Sequence, residues 1–127
     1  QPMEYRKLVG AIGRAAIVAT DSGGLQEEAP CLGKPVLVLR RVTERPEGVA
    51  AGTLELVGTD EKTIVDALDR LLDDDAAYQR MARAANPYGD GKASERIAAS
   101  LLAWYRGGKS PTEFDPTLPP TLPSGKH

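Results

Sequence analysis

The stretch TDSGGLQEEAPCLGKPVLVLRRVTERPE, residues 20–47, decides the fold. It follows a short apolar run, AAIVA at 15–19, and opens with the turn Asp21-Ser22-Gly23-Gly24. A continuous apolar run closed by a turn reads as a strand buried on both faces of a parallel sheet. Leu25, Ala29 and Leu32 then recur at helical spacing, which predicts a short helix over 24–32 with that side toward the sheet. Gly33 is placed to close it in a left-handed conformation. PVLVL at 35–39 predicts a second strand, and a loop carrying Arg40, Arg41 and Arg45 follows.

The pattern continues outward. Upstream, Tyr5, Leu8, Val9 and Ile12 predict a helix over 3–13, with Pro2 suited to its start. Downstream, 47–51 predicts one helical turn and TLELV at 53–57 a third strand. Asp60 is a natural N-cap for a helix whose inner face carries Ile64, Val65, Leu68, Leu71 and Leu72. A further helix over 75–85 turns Tyr78, Met81 and Ala82 inward. The run DDD at 73–75 reads as a solvated helix end and the next N-cap. NPYGDG at 86–91 is a loop by its turn chemistry. A last helix over 92–105 is expected to bury Ile97, Leu101 and Leu102, with Trp104 and Tyr105 packing it, and Gly107-Gly108 ends it. The tail 107–127 holds five of the ten prolines and is expected to be disordered or loosely laid on the surface. The division is therefore a folded unit over 1–106 and a tail over 107–127.

Strand-helix-strand alternation with continuous apolar strands gives an α/β fold: a Rossmann-like parallel sheet with flanking helices. Three strands are fewer than the six or so of a doubly wound nucleotide domain. The chain is therefore expected to be the later part of such a domain, with earlier strands missing or supplied by another chain.

Composition narrows the function. The 127 residues carry 16 basic and 18 acidic side chains, a net charge of −2. Such a balance gives no general attraction to nucleic acid or to an anionic membrane, so an anion must be held by a local site. No apolar run approaches the ~20 residues of a membrane span. Cys31, the one cysteine, excludes an internal disulfide and reads as a small buried hydrophobe. These features, with no signal-peptide core at the N-terminus, give the expectation of a cytoplasmic protein or a piece of one. Neither a metal-ligand spacing nor a GxGxxG fingerprint is present, so neither a metal nor NAD is expected, and no cofactor is called for.

In open parallel sheets ligands sit beyond the carboxyl ends of the strands, where residues 21–24 fall. Gly23 and Gly24 let a ligand approach the backbone closely. A helix start presents unpaired N–H groups and partial positive charge, which suits a phosphate. Ser22 adds a hydroxyl donor. The same residues also make a plain tight turn. Glu28 borders the sheet-facing side one turn past Gly24, where its carboxylate can accept hydrogen bonds from neighbouring ribose hydroxyls. Glu27 points further toward solvent, and both acids can equally complement the helix dipole. Arg45, in the next loop at the same sheet edge, can fork onto a diphosphate or a base carbonyl. Arg40 and Arg41 read as solvated charges. Phosphate donors, a ribose acceptor and a loop arginine at one edge suggest a nucleoside diphosphate.

TDSGGLQEEAPCLGKPVLVLR, TERPEGVAAGT, LVGTD and NPYGDGKAS resemble the C-terminal half of non-hydrolysing UDP-N-acetylglucosamine 2-epimerases, over about residues 3–105. The resemblance implies the C-terminal part of a GT-B fold, with a cleft between two Rossmann-like domains. It implies interconversion of UDP-GlcNAc and UDP-ManNAc by elimination and re-addition of UDP, by a cytoplasmic homodimer that feeds polysaccharide synthesis. It assigns the diphosphate to Ser22, Gly23 and Gly24, the ribose hydroxyls to Glu28, and a contact with the UDP portion to Arg45. It places no catalytic residue in this chain, since the family's catalytic carboxylates and histidine precede it and His127 ends a proline-rich tail. This chain alone is then expected not to turn over. Leu8 stands where the family often has an aromatic near the uracil. Asp21 is assigned to capping the helix, and NPYGDG to the border of the cleft. Two other readings share the nucleotide site: a GT-B glycosyltransferase, or a non-catalytic nucleotide-binding module.

Overall fold

A computed structural model describes residues 3–117. Its elements run α1 (Tyr5–Arg14), β1 (Val18–Thr20), α2 (Gly23–Cys31), β2 (Val36–Val38), α3 (Pro46–Ala51), β3 (Leu54–Leu56), α4 (Glu61–Asp73), α5 (Asp75–Ala82) and α6 (Ala93–Arg106). The three strands form one parallel sheet in the order β1-β2-β3. Val18, Val36 and Leu54 are in register across it. All three strands therefore end at one edge, and the loops that follow β1 and β2 meet there.

The sheet has two covered faces. β2 is buried throughout, as its continuous VLV run requires. Val36 and Val38 point into a cluster with Ile12, Ala29 and Leu54, against which Leu8, Val18, Leu25 and Tyr88 pack. Leu37 points the other way, into Val57, Ala67, Leu71 and Ala77, beside Ile17, Leu39, Ile64, Leu68 and Met81. Alternation along a single strand thus fixes α1 and α2 on one side and α4 and α5 on the other. At ~25 cal/mol per Å2 of apolar surface, each side chain of this kind contributes about 1.5–3 kcal/mol of burial, offset by ordering entropy.

The expected strands are shorter than their apolar runs. Ala15 caps α1 by donating its N–H to the carbonyls of Ala11 and Ile12, so pairing begins only at Val18. Val18 N–H donates to the Pro35 carbonyl at 3.0 Å, while Pro35, having no N–H, cannot join the ladder as a donor. Helix ends follow their caps. Asp60 accepts from the Thr63 N–H and Asp74 from the Ala77 N–H. Gly33 has φ +66°, and Gly107 ends α6 with φ 72°.

Several packing expectations are corrected. On α4, Leu71 and Ala67 are buried, but Val65 and Leu72 are exposed. On α5 the buried residue is Ala77, with Tyr78, Met81 and Ala82 only partly covered, and the helix ends at Ala82. The largest departure is α6. Ile97, Leu101 and Leu102 are 61%, 62% and 52% exposed, and Trp104 and Tyr105 stand out fully. Arg96, Ser100 and Ala103 are the partly covered positions instead. Apolar spacing predicts which residues share a face, and among the described residues no element lies over this one. Pro2, the tail beyond 117 and His127 fall outside the described residues.

Candidate functional site

The loops at the carboxyl edge of the sheet build the site. β1 ends at Thr20, whose Oγ1 accepts from the Ser22 N–H at 3.0 Å and turns the chain sharply into α2. Ser22 is the N-cap residue by backbone, but its hydroxyl makes no capping bond. The expectation that Asp21 caps the helix is therefore corrected: Ser22 holds the N-cap position, and Asp21 is exposed one residue earlier. Gln26 N–H makes the first intrahelical bond, to the Ser22 carbonyl. The N–H groups of Gly23, Gly24 and Leu25 precede it and have no place in the helix ladder. With Ser22 N–H already used, the donors left at this helix start are the Ser22 hydroxyl and these backbone amides.

The loop from β2 lies against this turn. A Cβ on Gly23 would stand 2.5 Å from Glu44 Oε1, so glycine is what lets that carboxylate approach. Glu44 Oε2 pairs with Arg40 Nη1 at 2.9 Å, on a half-exposed surface. Arg45 pairs through Nε with Glu27, and its Nη1 donates to the Glu44 carbonyl at 3.2 Å. The Glu27 hydrogen bond, reinforced by the charges of Glu27, Glu44 and Glu47, raises the Arg45 guanidinium above its ordinary value. Arg45 thus reaches the edge that the sequence predicts, and its side chain is held by Glu27, which the sequence reading leaves facing solvent.

Glu28 takes a different course from its neighbour. It lines a groove of about 210 Å3 between α1 and α2, with Tyr5, Val9, Ile12, Cys31 and Leu32. Its Oε2 is buried and has no hydrogen-bond partner. A carboxylate oxygen removed from water without a donor is costly, so this atom is open to a donor from outside the chain. Leu8 packs into the core cluster beneath α1 rather than into this groove.

Cys31, expected in the core, is exposed at the end of α2. Its Sγ donates to the Glu27 carbonyl at 3.2 Å and accepts from Asn86 Nδ2 at 3.0 Å. Pro30 and Ala29 occupy the buried positions there, and Leu32, the C-cap residue, is exposed because the helix has ended. Asn86 also donates to the Gly89 carbonyl and accepts from the Tyr88 N–H, which folds NPYGDG back on itself. Tyr88 then packs its hydroxyl against Gly48 of α3. That hydroxyl is buried without a partner, and burial, with the nearby Glu47 carboxylate, pushes it up to about 12. Asp90 is held well below the usual carboxylate range by the two-pronged Arg96 guanidinium, at 2.7 Å on each oxygen. Among the described residues no group of three or more His, Cys, Asp or Glu could hold a metal ion, and no helix is long and apolar enough to cross a membrane.

Two residues at the edge escape a sequence reading, Gln26 and Thr43, and Glu27 is read there without its partner Arg45. The available signal was position. Gln26 lies three residues before the buried Ala29, and Thr43 sits two before Arg45.

Comparison with known proteins bears on the fold and the family. A sequence model described as UDP-N-acetylglucosamine 2-epimerase matches residues 1–102. A probable UDP-N-acetylglucosamine 2-epimerase of Ralstonia solanacearum is 55% identical over 105 residues, which is 83% of this chain and 28% of that protein. A crystal structure of a UDP-N-acetylglucosamine 2-epimerase superposes with a TM-score of 0.87 at 51% identity, covering 91% of this chain and 31% of the other. The UDP-GlcNAc 2-epimerase of Neisseria meningitidis, solved with UDP-GlcNAc bound, superposes with a TM-score of 0.78 at 50% identity, covering 80% of this chain and 28% of the other. The chain thus spans somewhat over a quarter of the curated relative's length, and its parallel sheet with flanking helices is the Rossmann-like C-terminal part of their GT-B fold. The chain belongs to the UDP-N-acetylglucosamine 2-epimerase family.

Proposed function

We propose that residues 1–106 form the UDP-binding portion of a non-hydrolysing UDP-GlcNAc 2-epimerase. The Ser22 hydroxyl and the amides of Gly23 and Gly24 hold the diphosphate at the start of α2. Glu28 accepts from the ribose hydroxyls, and Arg45 contacts the UDP portion. The observation that carries this reading is the buried, unpartnered Glu28 oxygen in a groove beside the helix start. A phosphate at that start and a ribose one helical turn further along put the two hydroxyls within reach of that oxygen. A neighbour solved with UDP-GlcNAc supports the choice of nucleotide.

The reaction interconverts UDP-GlcNAc and UDP-ManNAc. UDP leaves with the C2 proton removed, and re-adds after the proton returns to the opposite face. The acid-base groups for those steps lie outside this chain, which holds the leaving group and does not turn over alone. The whole enzyme is a cytoplasmic homodimer in this reading. Calorimetric titration of UDP, repeated with Glu28→Ala and Arg45→Ala, tests the assignment. Saturable binding weakened by both changes supports it. Binding indifferent to both removes the assigned residues from the site.

A further inference from the structure

Gln26 is 0% exposed although its side chain is polar. Both ends of its amide are engaged. Nε2 donates to the Ser22 carbonyl at 3.3 Å, and Oε1 accepts from the Thr43 hydroxyl at 2.5 Å. Thr43 Oγ1 in turn accepts from the Arg45 N–H at 3.0 Å. Three hydrogen bonds thus run from the carbonyl of the anion-binding serine, through the interior, to the backbone of the loop arginine. Gln26 and Thr43 are 17 residues apart and belong to different sheet connections.

We infer that Gln26 and Thr43 are positioning residues for nucleotide binding: they lock the Ser22-Gly23-Gly24 turn to the Arg45 loop so that both contact one diphosphate-bearing ligand in a single register. The inference rests on the UDP reading for its ligand. The physical reason is directional. A buried amide with donor and acceptor both satisfied fixes the two segments against each other, and an apolar side chain of the same size leaves them free to slide. The ion pair of Arg45 with Glu27 orients the guanidinium, but it is partly exposed and reaches only the side chain. The Thr43 bond fixes the backbone that carries it.

The test uses Thr43→Val, which removes the hydroxyl at constant shape, Thr43→Ser, which restores it, and Gln26→Met, which keeps the length. UDP affinity is measured calorimetrically on the full chain. Thr43→Val and Gln26→Met each remove two of these neutral hydrogen bonds and are each expected to weaken binding at least about 5-fold, and Thr43→Ser to recover most of it. In an Arg45→Ala background Thr43→Val should cost no further affinity, because the residue acts through Arg45. A purely structural role predicts the same loss in both backgrounds, and that result overturns the proposal. If the unaltered chain binds no UDP, the nucleotide reading fails, and amide exchange decides the relay by itself. Gln26→Met should then speed exchange at the Arg45 N–H about 10-fold while leaving the Leu39 N–H, bonded to Thr20 in the sheet, unchanged. Unaltered exchange at Arg45 overturns the relay.

Discussion

Glu27 and Glu28 are adjacent carboxylates with opposite accounts, and replacing each by glutamine separates them. Glu28 Oε2 is buried and unpartnered, whereas Glu27 holds Arg45. A hydrogen bond to a charged group contributes about 1.5–3 kcal/mol and one to a neutral group about 0.5–1.5. Glu28→Gln therefore sacrifices about 1 kcal/mol at each of two ribose hydroxyls. At 1.4 kcal/mol per tenfold, the ~2 kcal/mol total weakens UDP binding about 30-fold. The unliganded protein should not suffer. A neutral amide costs less to bury without a partner than a carboxylate does, so its thermal midpoint should hold or rise by a few degrees, on the order of 4 °C for 1 kcal/mol. Scanning calorimetry without UDP and titration calorimetry with it give both quantities on one sample. If Glu28→Gln lowers the unliganded midpoint by more than about 4 °C, Glu28 is structural and the argument from its unpartnered oxygen collapses. An unchanged UDP affinity is equally fatal.

Glu27→Gln should move the other way without ligand, losing the Arg45 pair at about 0.2–1 kcal/mol in chemical denaturation. Gly48→Ala puts a Cβ 2.6 Å from Leu54 Cδ1 and against the Tyr88 hydroxyl, so denaturant midpoints should fall by an overpacking cost of about 1–3 kcal/mol. Asp90 has a folded value below its unfolded one, so its pairing with Arg96 stabilises above the unfolded value of about 3.9 and is lost as pH falls through the folded value. Asp90→Asn should accordingly lower the midpoint at pH 7 and converge with the parent chain as the solution is acidified below pH 4. Tyr88 behaves oppositely: raised to about 12, it stabilises fully below its unfolded value of about 10 and loses that contribution between about 10 and 12. Tyr88→Phe should flatten alkaline unfolding across that window.

Local signals carried most of the fold. The VLV core of β2, the turn at 21–24, the caps at Asp60 and Gly33 and the NPYGDG loop each depend on residues close in sequence, and each stands where its chemistry predicts. The misreadings of the helix faces share one cause. The apolar stripe of α6 is real, but spacing cannot say what covers it, and within the described residues it faces outward. Leu72 and Val65 fail in the same way at the margin of α4. At the sheet edge, the positions of Glu28 and Arg45 were legible because a helix start and a strand-end loop fix them. The Glu27–Arg45 pair and the Gln26–Thr43 bond were not, since each joins residues 17 or 18 apart through tertiary packing. Cys31 was misplaced by composition alone: a small sulfhydryl at a helix end can bond the Glu27 carbonyl while still facing solvent.

Backbone amide chemical-shift mapping during a UDP titration tests the central claim most directly. The account predicts saturable shifts concentrated at Ser22, Gly23, Gly24 and Leu25, at Glu28 and at Arg45, with the α6 residues undisturbed. Shifts centred elsewhere, for example along α6, would contradict it, as would a folded chain whose spectrum does not respond to UDP.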